Sequence, residues 1–431
     1  MTIESVETVE FTEASIGPRR KPVRLAYLVS HPIQYQAPLL RRIAAEPDID
    51  LTVFFGSDFS IRNYKDEGFG VHIAWDTPLT EGYKHHFLKP LRDTGTVSPT
   101  SPVSLGMYRN LRGPDGLPAF DALWVHGYAS INAWLGIVAA NALGIPVLLR
   151  AESWLRDRER SRFTLTLKRC FFNVLAPLIA ATLPIGTKNA EYWDFYLGRR
   201  VPQFLMPYAI DNDHFAGNSD GNSDRNSDPD IAGQNALRVS LALEPGRPVI
   251  LFAAKLQERK HCMHLIQAYA QLLETQPRNP PYLVIVGDGE ERVRLEAFCL
   301  EAGLKDVRFS GFQNQSILPQ YFRLADIFVL PSRHEPWGLI VNEAMAAGCA
   351  CIVSDDVGSH TDLITDGLNG FVFPTGDISA LTAALQRAFA TPETSAAMGE
   401  RAAERMCSWT FEQDIAGLRA ALAHTTRRLR A

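Results

Sequence analysis

The sequence predicts an α/β protein built from two doubly wound parallel sheets, and three observations carry that prediction. Short apolar runs alternate with helical patterns from Val23 onward, and a second such series begins at Val249. Unbroken apolar runs are typical of parallel strands that are covered by helices on both faces. The 431 residues, 46% of them hydrophobic, are enough for two domains of ordinary size.

The first series predicts four strands separated by helices. The strands are Val23–Val29, Leu51–Phe55, Ala122–Val125 and Pro146–Leu149, and the helices run through Ala45 and near Ala129–Leu143. The stretch from Ser57 to Val97 shows no regular period and is interpreted as irregular. Within it we favour core packing of Tyr64, Trp75 and Tyr83 over stacking on an acceptor sugar.

A low-complexity segment separates the two series. Residues 218–228 are a near-repeat of Asn-Ser-Asp, a composition that cannot form a core and predicts a disordered loop. The predicted organisation is a flexible leader at 1–22, an N-terminal domain at 23–205, a hinge and disordered loop at 206–235, a C-terminal domain at 236–410 and a C-terminal helix at 411–431.

The second series predicts five strands with polar or glycine residues at their carboxyl ends. The strands are Val249–Ala253, Tyr282–Val286, Val307–Phe309, Ile327–Leu330 and Ala350–Ser354. Lys255, Gly287, Gly311 and Glu335 each follow a strand end. Because ligands of doubly wound sheets bind outside the carboxyl ends of the strands, these four residues are predicted to line a site.

Two glutamates eight positions apart, Glu335 and Glu343, flank a Pro/Gly turn and a helix start near Leu339. Carboxylates are suitable acceptors for sugar hydroxyls, and free N–H groups at a helix start favour a phosphate. That combination fits a nucleotide sugar. The alternative is an ordinary strand-turn-helix with two surface glutamates.

This segment resembles the Glu-x7-Glu signature of the retaining nucleotide-sugar glycosyltransferases of family 4, which have the GT-B fold. Val286–Gly289, Val307–Phe312 and Asp366–Phe371 also match the C-terminal half of that family in order and spacing. The resemblance runs from about residue 249 to 377. It implies two Rossmann-like domains of a bacterial-type enzyme that face each other across a cleft, with the last helix packing back on the first domain.

The resemblance also implies roles for individual residues. Glu335 would contact the donor sugar, and Glu343 would bind the nucleotide ribose. Lys260 matches a lysine on the donor diphosphate, and Lys255 replaces an arginine there, a role that Arg259 could share. The predicted donor-binding residues are Lys255, Arg259, Gly287, Gly311, Phe312, Gly338, Leu339 and Glu343.

In the N-terminal half, Asp121–Gly127 resembles the family pattern Asp-x-x-His-x-His, with Trp124 in place of the first histidine. By this resemblance His126 lies against the donor sugar and orients or polarises it; a core histidine is the alternative. The predicted catalytic residues are therefore His126, Lys260 and Glu335.

Three further residues are assigned to the acceptor side of the cleft. The loop after the first strand lacks the Gly-Gly pair that many relatives carry beside the diphosphate, which suggests side-chain contacts from His31 or Gln34. Glu152 either lines the acceptor side or forms a salt bridge to Arg150 or Arg156.

Composition excludes several classes of protein. A net charge of -5 without a dominant basic stripe argues against nucleic-acid binding. The six cysteines form no CxxC pair, which favours reduced thiols, and residues 1–20 lack the apolar core of a signal peptide. The reduced thiols and the lack of a signal peptide predict a cytoplasmic protein. No metal or cofactor motif is found, so we expect no cofactor besides the nucleotide-sugar substrate.

One basic segment bears on membrane contact. Residues 156–169 contain six basic and two acidic residues, and four aromatic or aliphatic side chains lie in the next six positions. Such a segment can lie on an anionic membrane from the inner face, or it can be a solvated helix face that leads into the core.

The predicted function is transfer of a hexosyl group from a nucleoside diphosphate sugar to a saccharide or lipid-linked acceptor, with retained configuration and no metal. A place in bacterial polysaccharide or glycolipid biosynthesis is implied by the resemblance alone. The alternatives are a nucleotide-sugar epimerase on the GT-B fold and a non-catalytic subunit that binds sugar nucleotides.

Overall fold

A computed structural model describes residues 21–428, except residues 63, 67, 92–96, 157, 159, 218–227 and 276–278. Most of the predicted leader at 1–22 lies outside the described residues. The same holds for the Asn-Ser-Asp repeat up to residue 227. The structure therefore bears on the two sheet-forming halves of the chain.

The first half contains a six-stranded parallel sheet in the order β5-β2-β1-β6-β7-β8, and β3 and β4 form a separate antiparallel hairpin. The strands are β1 (Val23–Val29), β2 (Ile49–Phe55), β3 (Tyr64–Lys65), β4 (His72–Ile73), β5 (Lys84–Phe87), β6 (Ala122–His126), β7 (Val147–Arg150) and β8 (Ala181–Thr182). The helices are α1 (Ala37–Ala44), α2 (Met107–Leu111), α3 (Ile131–Ala142), α4 (Arg162–Leu175) and α5 (Thr187–Leu197), with 3-10 turns at Phe59–Ile61, Ala176–Leu178 and Gly198–Arg200.

The second half contains another six-stranded parallel sheet, in the order β11-β10-β9-β12-β13-β14. Its strands are β9 (Val249–Ala253), β10 (Tyr282–Val286), β11 (Val307–Gly311), β12 (Ile327–Leu330), β13 (Ala350–Ser354) and β14 (Gly370–Phe373). The helices from the crossover onward are α6 (Asn212–Ala216), α7 (Asp228–Ser240), α8 (Cys262–Thr275), α9 (Arg292–Glu301), α10 (Leu318–Leu324), α11 (Ile340–Ala346), α12 (His360–Leu363), α13 (Ile378–Ala388), α14 (Pro392–Met406) and α15 (Phe411–Arg428), with a 3-10 turn at Glu258–Lys260.

The predicted class of two doubly wound parallel sheets is confirmed. Five strands among the described residues were not predicted: β3, β4, β5, β8 and β14. Strands β3, β4 and β8 have only two residues each, too few for an apolar run to be recognised. Strand β5 lies inside the stretch predicted to be irregular, because this edge strand carries one lysine and two histidines and is largely exposed. Strand β14 begins at Gly370 in a segment that was recognised only as a motif.

Each sheet is covered on both faces, as the side chains of β1 illustrate. Leu25, Tyr27 and Val29 pack with residues of α1 and α15, whereas Ala26 and Leu28 pack with residues of α3. Successive side chains of a strand point to opposite faces, so one apolar strand supplies two cores. The last helix, α15, thus packs on the first sheet although it follows the second in sequence.

The crossover between the two halves is buried. Met206, Tyr208 and Ile210 are at most 6% exposed. The segment assigned to a hinge and disordered loop, residues 206–235, needs correction at its end, because α7 begins at Asp228. A helix is favoured there because the Asp-rich repeat stops and apolar residues recur at helical spacing.

A buried ion pair joins the crossover to the last helix. Arg150 at the end of β7 lies 3.4 Å from Asp414 of α15, and both side chains are almost fully buried. The Arg150 guanidinium also donates to the carbonyls of Met206 at 3.1 Å and Pro207 at 3.2 Å. One cation therefore holds the first sheet, the crossover and α15 together.

We predict that Asp414→Ala lowers the free energy of unfolding by about 3–5 kcal/mol, because it leaves Arg150 buried without its carboxylate. Glu412→Ala is the matched control, since Glu412 also lies in the first turn of α15 but its side chain is 62% exposed. Urea unfolding of both variants gives the comparison. Equal, small losses for the two substitutions would contradict a structural role for the pair.

Candidate active site

Each sheet has one point at which its strand order reverses. In the first sheet that point lies between β1 and β6, and in the second it lies between β9 and β12. Such switch points leave a crevice outside the carboxyl ends of the strands. The predicted residues at or after the ends of these four strands are His31 and Gln34, His126, Lys255 and Lys260, and Glu335.

A cavity of about 250 Å³ lies between the two halves. Residues from both domains line it, so neither sheet forms the cavity alone. Six of the residues predicted from sequence are brought together there: Gln34, Lys255, Gly287, Phe312, Leu339 and Glu343. Here we call it the donor cavity. Arg259, Lys260 and Glu335 are not among its lining residues, and neither are Gly311 and Gly338.

Glu343 is the unusual group of this cavity. Its side chain lies one turn into α11 and is only 8% exposed. No described residue forms an ion pair or a side-chain hydrogen bond with its carboxylate. Burial raises its pKa to about 8. A buried carboxylate without a partner is costly, so the site offers an unused acceptor to hydroxyl groups of a ligand.

Glu335 lies in a charged cluster next to the cavity. Its carboxylate pairs with the ammonium of Lys260, which is 9% exposed, and lies 3.5 Å from the guanidinium of Arg259. His261 and His334, the neighbours of Lys260 and Glu335, both have left-handed backbones, with φ of 52° and 55°. Such conformations are disfavoured for residues other than glycine and concentrate at functional sites.

Lys255 is also paired, and its partner comes from the other domain. Its ammonium lies 2.7 Å from a carboxylate oxygen of Asp66 and 4.8 Å from the ring centroid of Phe69. The sequence predicted Lys255 as a ligand of the donor diphosphate but gave no sign of Asp66, because the two residues are 189 positions apart. An anion in the cavity would compete with Asp66 for this cation.

Gly287 brings backbone close to the cavity wall. Its φ is 132°, and a Cβ atom there would lie 1.9 Å from the carbonyl oxygen of Ala254. A side chain at this position is therefore excluded. Gly311 and Gly338, with φ of 67° and 82°, shape the turns that place Phe312 and the start of α11.

Aromatic residues of the first domain close the donor cavity. Phe69 and Trp75, on either side of β4, lie with ring centroids 4.9 Å and 6.3 Å from that of Phe312. The predicted core packing is confirmed for Tyr83, which is 9% exposed, whereas Trp75 lines the cavity. The sequence could not show that the two side chains have different surroundings, since both lie in a stretch without a regular period.

His126 ends a chain of buried hydrogen bonds. Tyr27 donates to the Gln36 amide oxygen at 2.8 Å, and the Gln36 amide nitrogen lies 3.3 Å from His126 Nδ1 and 3.2 Å from its Nε2. The Nε2 atom also lies 3.4 Å from Glu152. Gln36 thus contacts both ring nitrogens, and together with Glu152 it fixes the position of the ring.

Glu152 is not paired with Arg150 or Arg156, which corrects the alternative raised from sequence. Tyr208 donates to it at 2.5 Å and Tyr35 at 3.3 Å, in addition to the contact with His126. Burial alone would raise the pKa of Glu152, but the hydrogen bonds from His126 and Tyr208 lower it below its ordinary value. The carboxylate therefore stays ionised at neutral pH.

His126 and Glu152 face a second, more open space. A groove of about 720 Å³ is lined by both residues, by Pro336 beside Glu335, and by side chains of α4 and the loop before it. It is separate from the donor cavity. We call it the α4 groove.

His31 lines neither the donor cavity nor the α4 groove. Its Nδ1 is 2.9 Å from the hydroxyl of Ser30, and its ring packs edge-on to Phe59. Burial lowers its pKa to about 4, with a smaller effect of His126. The ring is therefore neutral at pH 7, and the predicted contact of His31 with a ligand stays a prediction.

The described residues hold neither a candidate metal cluster nor a membrane-spanning helix. They contain no cluster of three or more His, Cys, Asp or Glu side chains placed to hold a metal ion. Among the helices of the described ranges, none has the length and apolar character needed to cross a membrane.

Comparison with known families concerns mainly the second half of the chain. Residues 233–405 match the family model described as "Glycosyl transferases group 1". An uncharacterized glycosyltransferase of Methanocaldococcus jannaschii is 37% identical over 139 residues, which cover 32% of this chain and 35% of that protein. The alpha-D-kanosaminyltransferase of Streptomyces kanamyceticus is 33% identical over 158 residues, which cover 36% and 40%. The alignments thus span less than half of either relative.

The whole fold is shared with a solved structure. The chain is similar to Anabaena Alr3699/HepE, crystallised in complex with UDP and glucose, with a TM-score of 0.67 and 16% identity over 93% of this chain and 99% of that one. At this identity the likeness concerns the fold alone. It confirms the predicted GT-B architecture.

We predict that Glu343→Gln stabilises the protein increasingly as pH rises. Because burial raises the pKa of Glu343 from 4.5 to about 8, the native carboxyl keeps a proton that the unfolded chain loses. Its contribution to the free energy of unfolding therefore falls between about pH 4.5 and pH 8, and glutamine avoids that loss. Relative to wild type, the gain is expected to vanish below about pH 4.5 and to reach a few kcal/mol near pH 8.

Urea unfolding across this pH range measures the effect. Glu404→Gln is the control, because the Glu404 side chain is 69% exposed and should change stability little at any pH. A constant difference between Glu343→Gln and wild type at all pH values would contradict the proton-linked cost.

Proposed function

We propose that the protein is a glycosyltransferase that moves a hexosyl group from a nucleoside diphosphate sugar to an acceptor hydroxyl, with retained anomeric configuration. The observation that carries this proposal is the carboxylate of Glu343, which has no partner among the described residues, inside a cavity that both domains line. The family match of residues 233–405 and the Glu-x7-Glu spacing support it.

Glu343 would accept hydrogen bonds from the ribose hydroxyls of the donor. Two hydroxyl donors would satisfy the buried carboxylate and favour its ionised form, which burial alone disfavours. Gly287 and Phe312 form the wall beside it, so the nucleoside would lie against backbone on one side and the aromatic group of Phe69 and Trp75 on the other.

The donor diphosphate would lie toward the cationic side chains. Lys255 lines the cavity, and Lys260 lies in the adjacent cluster with Glu335 and Arg259. As the bond between the anomeric carbon and the β-phosphate oxygen breaks, negative charge grows on the phosphate. Preorganised cations stabilise that charge, and we propose that they do so without a metal.

In the transfer itself, the acceptor oxygen forms a bond to the anomeric carbon on the face from which the phosphate leaves. The hydroxyl proton passes to the departing phosphate oxygen, so that no protein nucleophile is required. Glu335 would orient a hydroxyl of the hexose. His126, aligned by Gln36 and Glu152, would contact the sugar from the side of the α4 groove.

Two alternatives to a glycosyltransferase predict different fates for the donor when no acceptor is present. A nucleotide-sugar epimerase on this fold would convert the donor without an acceptor, and a non-catalytic subunit would bind the donor without turnover. Incubation with donor alone and with candidate acceptors, followed by anomeric analysis of the product by NMR, separates these three functions.

We expect one nucleoside diphosphate or its sugar to raise the melting temperature of the protein in the presence of a chelator. The screen covers UDP, GDP, ADP and dTDP and their common sugars. A ligand at about 100 times its dissociation constant adds about 2.7 kcal/mol of stability. Glu343→Ala should abolish the shift, and Glu404→Ala should retain it. No shift for wild type with any donor would oppose the proposal.

We expect Lys260→Ala to lower kcat by about 10²–10³-fold while donor binding changes less, because its charge matters most as the phosphate departs. Lys305→Ala, at an exposed position after α9, is the control. Steady-state kinetics with saturating donor gives the ratio. A near wild-type kcat would contradict the proposed role of Lys260 in stabilising the departing phosphate.

A further inference from the structure

Helix α4 carries an apolar stripe that the fold does not use. Phe163, Leu167 and Val174 are 73%, 55% and 63% exposed. At 100° per residue these positions, with the exposed Cys170 between them, fall on one side of the helix. The opposite side buries Phe172 and Leu175 in the core of the first domain. The stripe is therefore additional to the surface that α4 needs for packing.

Basic residues flank this stripe. Arg162 lies beside it on the same helix, and Arg158 and Arg160 precede the helix. Lys168 and Arg169 lie farther round the helix, 4.8 Å and 5.0 Å from the ring centroids of Tyr192 and Phe195. Residues 156–169 contain six basic and two acidic residues in a chain whose net charge is -5. Positive charge is thus concentrated around the exposed apolar side chains.

The stripe continues into the α4 groove. Leu167 belongs to both, and Arg158, Arg160 and Lys168 line the groove with it. At its inner end the groove reaches His126 and Glu152, the residues proposed to lie beside the transferred sugar. A molecule held at the stripe would therefore have a direct path to the reacting end of the cleft.

We propose that α4 docks the protein on the surface of an anionic lipid bilayer, so that the groove receives an acceptor hydroxyl carried by a lipid of that surface. The docking stands on the geometry of α4. The identity of the acceptor as a lipid-linked molecule rests on the proposed function.

A lipid surface fits the chemistry of the stripe. From Phe163 to Val174 the helix rises about 16 Å, enough to lay a row of side chains into the headgroup boundary but far too short to cross a bilayer. Amphipathic helices with aromatic and leucine residues on one side and basic residues on the other bind in that manner, and anionic lipids strengthen the attachment. The basic flanks match such a surface in charge.

The test is binding to vesicles without donor or acceptor. Wild-type protein is sedimented with vesicles of phosphatidylcholine alone and with vesicles that also contain phosphatidylglycerol. Binding is expected for the anionic vesicles. It should weaken at high salt, because the ions screen the attraction between the basic side chains and the anionic lipids. Phe163→Ser with Leu167→Ser should lower the partition coefficient by about 10- to 100-fold, since two large apolar side chains no longer enter the bilayer.

The matched control is Val293→Ser with Leu300→Ser. These residues lie on α9, far from α4 in sequence, and are 78% and 84% exposed. The control should bind anionic vesicles like wild type. Equal binding by both double variants, no binding by wild type, or a stripe that instead mediates dimers in light scattering would overturn the proposal.

Donor binding separates this inference from the proposed function. The thermal shift with the nucleotide should persist in Phe163→Ser with Leu167→Ser, because neither residue lines the donor cavity. If the wild-type protein binds vesicles but shows no thermal shift with any donor, the docking proposal holds and the glycosyltransferase proposal is contradicted. If it shows a thermal shift with a donor but does not bind vesicles, the glycosyltransferase proposal holds and the docking proposal is contradicted.

Discussion

The buried contact of Arg150 with Asp414 and the crossover carbonyls sets the relation between the two sheets. Both charges are removed from water, so each needs the other, and the guanidinium can serve three partners only when β7, the crossover and α15 are assembled. Tyr208 in the same crossover donates to Glu152, and its carbonyl accepts from Trp409 and Asn342. The cleft geometry thus depends on a segment tied to both halves.

Charge in the cleft is distributed unevenly. Lys255 and Lys260, the cations proposed for the diphosphate, are both held by carboxylates, whereas Glu343 has no partner among the described residues. The cations are therefore preorganised, and the glutamate carries a cost that a ligand would remove. Proteins commonly retain such destabilising groups at functional sites, where stability and activity oppose each other. This contrast distinguishes the cavity from an ordinary interface between domains.

Sequence reasoning located the second domain better than the first. Strands β9, β10, β12 and β13 were predicted with their observed bounds, because buried parallel strands are unbroken apolar runs. The edge strand β5 was missed, since its exposed lysine and histidines have no such signature. Gln36, Asp66 and Trp75 were not assigned to the site. Each acts through a contact with a residue distant in sequence, and no spacing along the chain reports that contact.

By itself, the sequence determined the two doubly wound sheets, the order of their strands along the chain and the glutamates and lysines at the strand ends. Apolar periodicity and local motifs are short-range properties that a single chain displays. Only the tertiary structure decided that Asp66 holds Lys255, that Tyr208 and His126 hold Glu152, and that no described residue pairs with Glu343. Those outcomes depend on how two domains close on each other, and burial and pairing across a cleft arise only from packing in three dimensions.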